Sequence, residues 1–258
     1  MSLVGVRTRT SNPGVYAVIG LAWLLAIVTE ATGSAGALHH HTLIEDGPPL
    51  WVGVPLFVLS WQVMIAAMML PSSLPFIRIF TQASAARPHV RGARWAFLGG
   101  YASVWTAFGM AAFVGDMFIH ASVDRSPWLT AHPQVVGGGV LLLAAGFQFS
   151  AVKDRCLDVC RHPAAFMLRY YRRGTGAAFD VGRRHGLFCL GCCWALMLVS
   201  FAVGVANLPW MALFTALMVF EKTGPGGERG VVPIGAGLAG LGVLVLLGPA
   251  AGVFAGPA

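Results

Sequence analysis

The chain has 258 residues, of which 57% are hydrophobic and only 10% charged, with 33 glycines and 15 prolines; its mean hydropathy is +0.72. Such a composition excludes a water-soluble globular domain and predicts an all-α, polytopic transmembrane helix bundle. The net charge of +7 reads as an orientation signal toward anionic lipid head groups and gives no argument for nucleic acid.

A span needs about 20 mostly apolar residues. Seven stretches meet that need, near 13–32, 51–71, 95–117, 135–152, 187–205, 207–221 and 231–254. They are expected to form a single transmembrane domain over 1–258, with 153–186 as a basic cytoplasmic loop inside it.

Before the first stretch stand Arg7 and Arg9, and after it the small-residue run TGSAGA. Together with the apolar core from Val15 to Val28 these also fit a cleaved signal peptide, although the core runs long for one. The following external loop carries His39, His40 and His41, then Glu45 and Asp46; weak metal binding and a solvated loop without a role are both open.

The second stretch contains WQVMIAAMMLP, Trp61 to Pro71. Helical spacing puts Met64 and Met68 on one face with Trp61, and Met69 beside them. Methionine is a common gap-filler in helix packing, which is the plain alternative. Past the fourth stretch, Cys156 and Cys160 form an i, i+4 pair. The basic loop then reads RYYRR, with Tyr170 and Tyr171 expected at head-group level on an interfacial helix.

From Leu187 to Phe220 the chain is uncharged for 34 residues. As one helix that is about 50 Å, too long for a bilayer. Asn207 and Pro209 predict a hairpin that divides it into two spans. The first of these opens on FCLGCCWALML, where Cys189, Cys192 and Cys193 share a face that Met197 extends. It places them within a turn or two of the cytoplasmic surface. Glu221 and Lys222 mark the inner end of the sixth span, with the Glu221 carboxylate near enough to reach the sulfur. In the last span, Gly235 with Ala239 and Ala236 with Gly240 have spacing for close packing.

The hairpin also makes the basic residues agree. Arg7, Arg9, Arg78, Arg87, Arg91, Arg94, the eight from Lys153 to Arg184, Lys222 and Arg229 all fall on one side, and Arg125 alone on the other. The positive-inside rule then gives a cytoplasmic N-terminus and an external C-terminus.

Three groups of sulfur, distant in sequence, thus reach a similar depth. Thiolate and thioether together favour Cu(I), while thiolates with His162 or His185 would suit Zn. The cysteine spacing matches neither common ferredoxin pattern. The metal ligand candidates are Cys189, Cys192, Cys193, Cys156, Cys160, Met64, Met68, Met69, Met197 and Glu221.

The segments WQVMIAAMMLP, CLDVCRHP and FCLGCCWALMLVSFAVGVANLPWMA, on through ALMVFEK, resemble a bacterial family of predicted metal-binding integral membrane proteins, a domain of unknown function. The likeness covers roughly Trp51 to Gly226. It implies that Trp61, Met64, Met68, Met69, Cys156, Cys160, Cys189, Cys192, Cys193, Glu221 and Lys222 belong together, and a multi-pass location in a bacterial inner (plasma) membrane. Ala206 departs from the family's Met before the hairpin Asn, and Pro209 is a second departure.

Three functions fit. One is Cu(I) handling by a cytoplasmic-side Cys/Met cluster for transport or delivery, with a metal-delivery protein as partner. A second is thiol redox chemistry at Cys189 and Cys192, a CxxC at a helix N-terminus with Cys156 and Cys160 as exchange pair. The third is a non-catalytic subunit or assembly factor of a larger membrane complex. No Ser-His-Asp set, phosphate loop or paired intramembrane carboxylates are present, so no catalytic residue is assigned.

Overall fold

A computed structural model describes residues 12–33, 49–84, 90–203 and 207–248. His39, His40, His41, Glu45, Asp46, Arg7, Arg9, Arg87 and Ala206 lie outside them. Among the described residues every regular element is helical. The order is α1 (Pro13–Ala31), α2 (Leu50–Ser84), α3 (Val90–Arg125), α4 (Pro127–Ala131), α5 (Gln134–Gln148), α6 (Ala151–Arg161), α7 (Pro163–Tyr170), α8 (Thr175–Ala202), α9 (Leu208–Thr223), a 3₁₀ turn (Gly227–Gly230) and α10 (Val231–Leu246).

Among the described residues, five helices are long and apolar enough to cross a membrane: Pro13–Ala31, Leu50–Ser84, Arg91–Arg125, Thr175–Ala202 and Gly227–Leu246. A sixth span results if α5 and α6 count as one. They meet at a 65° bend, where the Ser150 side chain accepts the Lys153 N–H and starts a new helix. The remaining expected stretch, 207–221, is α9, only 16 residues long. Its start agrees with the expected break: Asn207 caps it, accepting the Trp210 N–H, and Pro209 occupies the first turn.

The helices outrun the apolar stretches that announce them. With 35 and 36 residues, α2 and α3 are about 52 and 54 Å long, well beyond the roughly 30 Å hydrocarbon core. The segment expected as a basic loop is instead α6, α7 and the first turns of α8. Lys153, counted among its basic residues, is fully buried.

At the centre lies α8, whose apolar window is 61% buried against 17% for α1. It packs on α3, α6, α5 and α9. Against α3 the two backbones nearly touch: a Cβ on Gly182 would strike the Phe97 carbonyl, and one on Gly100 the Phe179 carbonyl. In α10, Gly235 packs against Phe149 and Gln148 as the spacing predicts, whereas Gly240 faces open space and Gly242 meets α5 instead.

Pro55, Pro71 and Pro75 lie inside α2. Pro71 has no N–H for the carbonyl four residues earlier, that of Ala67. The Trp23 indole of α1 donates to this carbonyl at 3.1 Å, which restores the lost partner and ties α1 to α2. Replacing Trp23 by Phe should therefore cost about 1–3 kcal/mol, and much less when Pro71 is also Ala. Unfolding in detergent of the two single variants and the double variant checks this.

Candidate metal centre

The fully buried face of α8 presents Cys189, Cys192 and Cys193. Helical periodicity aligns them, as expected, but not where expected. Because α8 begins at Thr175, Cys189 stands 14 residues inside it, about 21 Å from its N-terminus. The local dipole argument for a reactive CxxC thus falls away, since that effect is confined to the first turn. The thiols of Cys192 and Cys193 instead donate to the Cys189 carbonyl, at 3.1 and 2.8 Å.

Two neighbouring helices bring sulfur to this face. From α6, Cys160 Sγ lies 3.9 Å from Cys192 Sγ. From α2, Met69 Sδ lies 3.7 Å from Cys193 Sγ. The approach of α6 depends on Gly191, since a Cβ there would sit 2.5 Å from Cys156 Sγ. Cys156 is half-buried, the other four cysteines are buried, and all five are free thiols. The remaining methionines differ in their surroundings. Met68 Sδ is 3.9 Å from the Ser200 hydroxyl, while Met64 and Met197 are buried in the apolar core.

A polar network closes the cluster. Lys222, from the end of α9, donates to Cys189 Sγ at 3.1 Å, Ser72 Oγ at 3.2 Å and Cys193 Sγ at 3.7 Å. The Tyr101 hydroxyl shares a 3.1 Å hydrogen bond with Cys189 Sγ and accepts from Ser73 Oγ at 3.3 Å. Ser73 Oγ in turn is 3.2 Å from His185 Nε2. The His185 ring stacks on Phe76 with centroids 3.8 Å apart, so it supports the network and touches no sulfur. His162, at the surface, pairs with Asp158 at 3.1 Å.

Glu221 does not turn toward the sulfurs. Its carboxylate takes a 2.7 Å ion pair from Lys153 and a 3.2 Å hydrogen bond from Gln148 Nε2, both buried. Arg161 donates to the Glu221 and Gly224 carbonyls, covering the open C-terminal end of α9. Sequence spacing thus located the sulfurs, the resemblance grouped Lys222 with them, and His185 stood among the Zn candidates; Tyr101, Ser72 and Ser73 carried no signal.

Among the described residues no three His, Cys, Asp or Glu side chains converge to hold a metal ion. What converges is pairs of soft sulfur. Metal–sulfur bonds near 2.3 Å put two sulfurs roughly 4.6 Å apart across a linear ion; either cross-helix pair needs to widen by less than about 1 Å. Sulfur donors of this kind suit soft cations.

A family model described as PpoB2, copper chaperone, matches residues 58–245. No curated protein and no solved structure matches the chain.

Removing one partner of a buried ion pair strands the other charge. Glu221→Gln should cost about 3–5 kcal/mol, and adding Lys153→Met should recover most of it. Denaturation of the single and double variants measures the difference.

Proposed function

Because the chain belongs to the PpoB2 copper chaperone family, we propose that it holds copper as cargo, in the Cu(I) state, among the buried sulfurs of α8, α6 and α2 and hands it to an acceptor protein. The observation that carries this reading is that four buried thiols and one thioether from three helices line one face, with two cross-helix sulfur pairs closer than 4 Å. Thiolate with thioether is the donor chemistry that selects Cu(I).

Cys160, Cys192, Cys193 and Met69 supply the opposed sulfurs, and Cys189 completes the face beside Lys222. Cys156, half-buried beside Gly191, is the thiol nearest to incoming metal. Met64, Met68 and Met197 shape the apolar wall. Glu221 is left out of the ligand set because Lys153 and Gln148 occupy its carboxylate.

In this reading the protein spans a bacterial plasma membrane seven times, with α9 a short span held against protein. The N-terminus and the basic helix ends face the cytoplasm and anionic lipid. The hydrogen bond between Tyr16, early in α1, and Arg78, late in α2, supports an antiparallel α1–α2 pair with both groups at that face. The chaperone description favours delivery over transport.

Metal analysis of anaerobically purified, reduced protein tests the proposal. The wild type should carry about one copper per chain with a Cu(I) X-ray absorption edge. Cys189→Ser/Cys192→Ser should lose it, Met69→Leu should bind more weakly, and Met64→Leu should retain it. Copper content unchanged in the double cysteine variant would remove the proposal.

A further inference from the structure

Three charged side chains are buried around the sulfurs, and they are not equivalent. Lys153 and Glu221 neutralise one another at 2.7 Å. Lys222, 4% exposed, has no such partner. Among the described residues no carboxylate lies within ion-pair distance of it. Glu221 is adjacent in sequence yet directed at α6.

The surroundings of Lys222 are those of a charged ammonium. Three N–H donors meet three acceptors, Ser72 Oγ, Cys189 Sγ and Cys193 Sγ. One fixed positive charge therefore stands inside the sulfur cluster, in a buried interior of low dielectric.

Resting on the reading of these sulfurs as the copper site, we propose that Lys222 is its specificity-determining residue: its fixed charge makes the site accept a monovalent soft cation and reject a divalent one. Two thiolates and Lys222 sum to one negative charge, which a monovalent ion cancels. A divalent ion leaves one positive charge in a buried site, where an unpaired ion is expensive. A third thiolate would cancel it, but among the described residues no three His, Cys, Asp or Glu side chains converge to hold an ion. Charge selection thus comes from a residue that donates no electron pair to the metal.

The test compares Ag(I) and Cd(II), soft ions of one and two charges, on the reduced full-length protein in detergent. Binding is read by competition with a chromophoric chelator and by metal content. The wild type should bind Ag(I) and leave Cd(II) behind. Lys222→Met, which removes the charge, and Ser72→Asp, which places a carboxylate against it, should each shift the Cd(II)-to-Ag(I) affinity ratio toward Cd(II) by about a hundredfold or more.

An unchanged ratio in a variant that still binds Ag(I) overturns the inference. So does stoichiometric, tight Cd(II) uptake by the wild type, which needs no variant to fold. Failure of the wild type to bind Ag(I) or Cu(I) at all removes the copper reading itself and the inference with it.

Discussion

The arrangement of the sulfur cluster depends on one buried ion pair, Lys153 with Glu221. Successive residues of an α-helix point about 100° apart. Holding Glu221 against α6 therefore turns Lys222 away from α6 and toward α8 and α2, where Cys189, Cys193 and Ser72 receive it. Arg161, the residue after Cys160 at the end of α6, grips the same end of α9 through backbone carbonyls. Lys153 and Arg161 fix α6 and α9 to one another from either side of Cys160, so a pair of charges sets the position of a thiol that neither touches.

That dependence runs against the usual economy of membrane interiors. Ionisable groups in an apolar environment are costly and persist where something requires them. Here one pair is internally neutral and fixes register, and the third charge is left over facing sulfur. A replacement of all three by well-packed apolar residues would keep the helices together but would leave the cluster without orientation or charge. The proline in α2 follows a similar logic: Pro71 opens a carbonyl, and Trp23 of α1 fills it.

Much of this was legible in the sequence, for identifiable reasons. Apolar runs gave the helices, and Asn207 with Pro209 gave the break before α9, because capping and missing N–H groups act locally. The i, i+3, i+4 spacing gave the common face of Cys189, Cys192 and Cys193. Helix ends were not legible. TGAAFDVGRRHG, 175–186, is polar enough to look like a loop, yet it is helical because Gly182 lets α8 lie directly on α3. Nor could spacing show that Glu221 and Lys222 are buried and aimed at different partners. That outcome is decided by α6, which approaches only because Gly191 leaves a notch for Cys156.

The exposure of the cysteines carries one more consequence. Cys189, Cys192 and Cys193 are 0–1% exposed, enclosed by α2, α3, α6 and α9, so among the described residues none of these sulfurs is open to solvent. An ion bound there leaves only when helices part, on the microsecond-to-second scale of such motions. Its dwell time is then set by how often the bundle breathes, and an acceptor that pries α6 from α8 could hasten release without competing for a single metal–sulfur bond.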